Sequence, residues 1–420
     1  MLLNKSDYKN NKTFVFYCLF FLFALLVHFL LPLGWADDVI FREKVSRLGL
    51  LPFLNNSARP LVDALTYIFA KYPVLWRISN PLVLIVLSRL LSYYLPECKN
   101  EYAKNVTICS VLIYPSLVVV DAGFIATTVN YLWPVTMGLL CLLPFRKKLD
   151  NRKIYWWEMI LLVPCLLYAT NMQQMAVTLV LLLGTANVYL LMKKKFSPYV
   201  MFQFLVTICC SVYSYIINTV GDNPRMLRET GRYFPEFGSL NLFEKIELGF
   251  SSTFYCLTMK ACFAWVGFIA FLIILAVFVY KKSKKVTDRA IVTFPAVFSL
   301  WGIIQDVCSE GFGYIKQYIP GDLQNYKMNK AVYSFEPISD IFFVIVILCI
   351  LYSLYVVIRD KKQCLISCAA FFVGTGTRMI MGFSPTVWAS GYRTFYIMFL
   401  SLIVVSFFVI NRGKSDVDVK

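Results

Sequence analysis

Histidine is almost missing from this chain: its 420 residues hold one, His28. Acids are scarce as well, 24 against 41 Lys and Arg, which leaves a formal charge of +17. The 13 cysteines form no CxxC pair and no cluster with histidine, and most sit within apolar runs. These shortages exclude a zinc site and a disulfide framework. They leave the cysteines as small core- or lipid-facing residues and His28 as a hydrogen-bonding group inside a helical bundle. No fixed-period repeat is present, and no polar stretch is long enough to fold as a separate soluble domain. The chain is expected to be one membrane domain over 1–420.

Apolar runs, by contrast, are abundant. The sequence is 59% hydrophobic and 17% aromatic, with a mean hydropathy of +0.65. That places it among polytopic membrane proteins. The positive charge does not indicate nucleic acid, because most Lys and Arg fall in short clusters between apolar runs, as the positive-inside rule describes. The first run, Phe14 to Leu33, spans about 20 residues, enough to cross a bilayer core of roughly 30 Å. It lacks a small-residue cleavage site, so it is expected to remain as a helix.

Lys5, Lys9 and Lys12 place the start of the chain in the cytoplasm. Further crossings are expected near 79–96, 106–121, 131–145, 156–170, 174–192, 198–219, 252–280, 288–305, 338–358, 364–380 and 391–411. Together they give an all-α bundle of about 12 helices with both ends inside, the clusters Arg146–Lys153, Lys193–Lys195, Lys281–Lys285 and Arg359–Lys362 all being cytoplasmic. The outer loops are then 34–77, 122–130, 220–250, 306–337 and 381–390. In the first of them, Val39-Ile40-Phe41, Val45 and Leu48 recur among Arg42, Lys44 and Arg47. Leu61, Leu65, Ile68 and Phe69 recur beside Arg59 and Lys71. Both stretches predict amphipathic helices lying in the outer interface. A short crossing over 60–76 is the alternative, and it would turn Arg146–Lys153 outward.

Polar groups gather on that outer side. Asp37 and Asp38 follow the first helix directly, and Pro32 and Gly34 already suffice to end it. Adjacent carboxylates repel and favour a proton, a divalent cation such as Mg or Mn, or a cationic partner. Simple anchoring of the helix end in water is the plain alternative. Asn130, Tyr131 and Trp133 open a crossing from outside. Interfacial anchoring accounts for the two aromatics but not for the Asn between them. Gln173 and Gln174, with Asn171, form a short outer turn that could bind substrate or only satisfy freed backbone groups. Arg225, Arg228 and Arg232 share one helical face, suited to a phosphate or diphosphate and equally to anionic lipid headgroups. Arg378 and Arg393 lie toward the outer ends of the last two apolar runs. An Arg inside a crossing costs roughly 2.5–3.5 kcal/mol, so two of them imply a buried anion or ion pairs with Asp37, Asp38 or Asp340. With Arg59, which begins the second interfacial helix, they are the candidate donor-phosphate ligands. Loop 306–337 has the mixed charge of a folded acceptor-shaping loop.

Trp35-Ala36-Asp37-Asp38 followed by the two helices of 39–71 resembles the GT-C class of integral-membrane glycosyltransferases, which carry an acidic motif in the first outer loop before two juxtamembrane helices. Asn130-Tyr131-Leu132-Trp133-Pro134 and the segment from Ser384-Pro385 to Arg393 are similar to a bacterial branch of that class, akin to the serotype-conversion O-antigen glucosyltransferases. The chain lacks the large C-terminal soluble domain of many such proteins. The resemblance implies a multi-pass protein of the bacterial inner membrane with its site on the periplasmic face. It implies transfer of a sugar, such as glucose, from a polyprenyl-phosphate donor to a glycan acceptor such as O-antigen. A polyprenyl-phosphate sugar synthase and a small flippase would be functional partners. Asp37 or Asp38 would be the general base, and Arg378, Arg393 and Arg59 would neutralise the leaving phosphate. Two rivals share the features: a transporter or flippase for a lipid-linked glycan, and an O-antigen polymerase or ligase.

Overall fold

A computed structural model describes residues 11–55, 57, 59–96, 100–118, 122–219, 224–312, 331 and 333–415. Every regular element among them is helical. Among the described residues nine helices are long and apolar enough to cross a bilayer: Lys12–Leu30, Pro73–Tyr94, Phe124–Leu149, Gln173–Met192, Phe263–Lys282, Val286–Cys308, Pro337–Val357, Lys361–Phe383 and Tyr392–Asn411. The chain is therefore a multi-pass membrane protein. The three other expected crossings coincide with helices Glu101–Val118, Trp156–Thr170 and Pro198–Thr219, which do not reach that measure within the described residues.

The chain divides into two compact units, Met1–Pro224 and Arg225–Lys420. In the first, α1 (Asn11–Leu30) leads through a short link to α2 (Asp37–Arg47) and α3 (Pro60–Lys71). Then come α4 (Pro73–Tyr94), α5 (Glu101–Val118), α6 (Phe124–Leu149), α7 (Trp156–Thr170), α8 (Gln173–Met192) and α9 (Pro198–Thr219). At a rise of 1.5 Å per residue α3 is about 18 Å long, short of a bilayer core of roughly 30 Å. The outer loop expected at 122–130 is also shorter than it reads, because α6 begins at Phe124 and takes Thr127, Thr128 and Asn130 into a helix.

One face of α1 explains how the bundle holds together. Thr13, Tyr17, Ala24 and His28, spaced at helical repeats, are buried, while Phe14, Leu19, Leu22 and Leu26 are more than half exposed. Lipid is as apolar as these side chains, so burial alone does not drive association; close packing and interhelical hydrogen bonds do. Tyr17 supplies one such bond, its hydroxyl donating to Oδ1 of Asn105 on α5 at 2.9 Å.

The second unit holds α10 (Pro224–Tyr233), α11 (Leu242–Thr258), α12 (Phe263–Lys282), α13 (Val286–Phe312), α14 (Pro337–Val357), α15 (Lys361–Met379) and α16 (Tyr396–Ser415). The run 252–280 is not one crossing: α11 ends at Thr258 and α12 starts afresh at Phe263. Asp306 of α13 stabilises that break, its carboxylate accepting the Ala261 N–H at 2.8 Å. The segment 220–250, expected as an outer loop, is largely helical where described. α11 lies unusually close to the end of α15. A Cβ on Gly249 would sit 2.1 Å from the Met379 carbonyl oxygen, and one on Gly382 equally close to that of Lys245. These two glycines let backbones touch beside Arg378.

Candidate functional site

The acid pair sits in the first turn of α2, where the helix dipole favours negative charge. Its two members have separate fates. Asp38 is buried and accepts three backbone N–H bonds from the start of α6: Phe124 at 2.7 Å, Ile125 at 3.1 Å and Ala126 at 2.8 Å. It is thus the cap of α6, supplied by a residue 86 positions earlier. Gly123 makes this possible. Its φ is +112°, and a Cβ there would lie 2.8 Å from Asp38 Oδ1. Burial pushes the Asp38 carboxyl above its ordinary value, the three amides pull it back, and the neighbouring Asp37 charge adds to the rise. Asp37 is partly exposed, and its side chain forms no hydrogen bond or ion pair among the described residues.

That division bears on a divalent ion. A carboxylate offers about four lone-pair positions, and Asp38 gives three to amides. Asp37 alone would remain, and no group of three His, Cys, Asp or Glu suited to a metal occurs among the described residues.

Beyond the cap, Thr128–Leu132 winds as a π-helical turn inside α6, a feature frequent at functional sites. Asn130 is buried there. Its Nδ2 donates to the Ala126 carbonyl, and its Oδ1 has no partner among the described residues. Tyr131 is half-buried. Trp133 is committed elsewhere, since its indole N–H donates to Asn80 Oδ1 at 2.9 Å. Asn80 Nδ2 reaches His28 Nε2 at 2.9 Å, while His28 Nδ1 donates to the Ala24 carbonyl at 2.7 Å. Trp76 donates to Thr128 Oγ1 at 2.8 Å. His28 is thus the bundle hydrogen-bonder expected of it. Asn80, an amide within a crossing, carries a sequence signal for such an interhelical role, whereas Trp76 carries none.

Asn171 also serves the backbone. Its Oδ1 accepts the Leu61 N–H at the start of α3 at 3.0 Å, and its Nδ2 donates to the Leu167 carbonyl at 2.9 Å. Gln173 is exposed and Gln174 buried. Arg59 immediately precedes α3 and lies, with Asp63, beside Tyr168.

In the second unit Arg378 is 1% exposed. Its guanidinium donates to the Val387 carbonyl at 3.1 Å and lies 4.7 Å from the Phe395 ring centroid. With Lys260, Trp388 and Tyr392 it lines a cavity of about 360 Å³. The Trp388 indole N–H is buried without a partner among the described residues. Arg393 follows Tyr392 on the same 3₁₀ turn but is not part of the lining. Arg228 and Arg232 are exposed on α10, outside this cavity, with Arg232 over the Tyr233 ring. The Arg225 side chain and most of loop 306–337 lie outside the described residues. Asp37 and Asp38 belong to the first unit, and Arg378 and Arg393 to the second.

A second cavity, of about 870 Å³, lies in the first unit against α2 and is lined by Arg42, Arg47, Lys71 and Arg77. In sequence Arg42, Arg47 and Lys71 belong to the charged faces of amphipathic helices, and nothing sets Arg77 apart.

Fold and sites together define an all-helical, multi-pass membrane protein with two cation-lined hollows. No family model, curated protein or solved structure matches the chain.

Proposed function

We propose that this protein is a membrane glycosyltransferase of the GT-C kind, moving a sugar from a polyprenyl-phosphate donor to a glycan acceptor at the outer face of the bacterial inner membrane. One observation carries the proposal: Asp38 is locked onto the start of α6, and Asp37 stands beside it, partly exposed and uncommitted, where the first span ends. A rigid acid holding a usable one suits general-base chemistry.

Asp37 takes the proton of the acceptor hydroxyl as the acceptor oxygen attacks the anomeric carbon. The bond from that carbon to the phosphate oxygen breaks, and polyprenyl phosphate leaves with the electron pair. Base catalysis of this kind contributes roughly 10²–10⁴-fold. Asp38 is a positioning residue. The leaving phosphate calls for a guanidinium or ammonium partner. Neutralising the leaving group is commonly the largest catalytic contribution. In this arrangement α2 and α3 lie in the outer interface as juxtamembrane helices.

Mass spectrometry of the cell-surface glycan, with and without the gene, tests the proposal. A gain of one hexose per repeat is expected. A longer polymer would indicate a polymerase, and an unaltered glycan with a relocated lipid-linked precursor a transporter.

A further inference from the structure

We infer that the cavity under α2 is a seat for the phosphate of an anionic membrane lipid, held by Arg42, Arg47, Lys71 and Arg77. The inference stands on that cavity and does not depend on the transferase proposal.

Three helices bring four cations to one hollow, and no acid among the described residues lines it. None of the four forms an ion pair with a carboxylate among the described residues. Unscreened like charges repel, so a cluster of this kind is stabilised by an anion that arrives from outside. Two of the cations are held in place by backbone. Arg42 donates from one nitrogen to the Leu33 carbonyl at 2.8 Å. Arg77 donates from two nitrogens to the His28 and Leu31 carbonyls at the C-terminal end of α1. A guanidinium has about five N–H donors in a fixed fork, so most of these remain for a ligand. The carbonyls orient the forks without cancelling their charge, and oriented guanidiniums suit phosphate oxygens.

The surroundings favour a lipid over a free phosphate. Leu30 is 74% exposed and Leu51 81%, with Val74 and Leu48 exposed as well. These apolar residues flank the elements that line the cavity. Acyl or isoprenoid chains would cover them while the head occupies the cationic hollow. Lipid bound there would fix α2, and with it the acid pair, against the end of α1.

The test uses the purified full chain in phosphatidylcholine nanodiscs, with native mass spectrometry counting bound phosphatidylglycerol, farnesyl phosphate or inorganic pyrophosphate. Arg47 and Lys71 make no hydrogen bond that an altered side chain would leave open, so the double variant Arg47→Gln/Lys71→Gln is the probe. At roughly fivefold per cation, the loss of two is expected to weaken lipid-phosphate binding about twenty-five-fold. Lys193→Gln/Lys194→Gln, in the same unit but outside the cavity lining, should leave binding unchanged. Preference for phosphatidylglycerol identifies a bilayer phospholipid, and preference for farnesyl phosphate an isoprenoid phosphate; either supports the seat. Wild-type affinity in the Arg47/Lys71 variant, or binding of pyrophosphate without lipid phosphate, would overturn it.

Discussion

Two neighbouring aspartates with the same chemistry part company because of what faces them. Asp38 meets three amides of another helix, whereas Asp37 meets none. Replacing Asp38 by Ala removes a cap, and a loss of about 1–2 kcal/mol is expected, read as a lower melting temperature in detergent. Asp38→Asn keeps one accepting oxygen but turns its amide N–H2 toward a backbone donor, so an intermediate loss is expected. Asp37→Asn should melt like wild type. The Asp38 carboxyl has a second signature. Its value in the folded protein is raised, so the folded state holds its proton to higher pH than the unfolded chain does. That contribution is complete below the ordinary aspartate value, falls as pH rises through the raised one, and is flat beyond it. Melting in an acid pH series should show this decline in wild type and its absence in Asp38→Asn. Sequence displayed the acid pair plainly. It could not assign the capping role, because the amides belong to residues 86 and more positions away.

At the scale of elements, α6 depends on a backbone exception. Gly123 reaches a φ of +112° and leaves room for the Asp38 carboxylate. Ala there would suffer both the conformation and the contact, for a loss of about 1–3 kcal/mol. Thermal melting of Gly123→Ala checks it, and an unchanged midpoint would show that the cap is not under such constraint. The His28–Asn80–Trp133 chain ties α1, α4 and α6 together. Asn80→Ala leaves an indole N–H and an imidazole nitrogen buried, and roughly 1 kcal/mol should be lost. The helices themselves were legible from length and apolarity. Their ends were less so: α6 starts earlier than its polar residues suggest, because Thr127, Thr128 and Asn130 turn their side chains onto helical carbonyls. The Asn171 turn could be read either as substrate-binding or as backbone satisfaction. Its two hydrogen bonds to backbone groups support the second.

For the whole molecule, the multi-pass character follows from composition alone, and the sites do not. Arg378 could be singled out because a charge inside an apolar run is costly, and it indeed lines a cavity. Arg42, Arg47, Lys71 and Arg77 each look ordinary in sequence. They become a group only when α2, α3 and α4 meet. The proposed activity needs both a usable carboxylate and a phosphate-neutralising cation. Arg378→Lys is expected to lower the melting temperature in detergent, since one ammonium does not reproduce the buried guanidinium that donates to the Val387 carbonyl.

The most direct measurement is transfer of labelled hexose from a polyprenyl-phosphate hexose to O-antigen glycan by the purified full chain in nanodiscs, comparing wild type with Asp37→Asn. Wild type should transfer, and the variant should fall by roughly 10²-fold or more with unchanged melting. Equal rates in the two proteins would contradict Asp37 as the base, and no transfer by either, with every donor tried, would contradict the proposed activity itself.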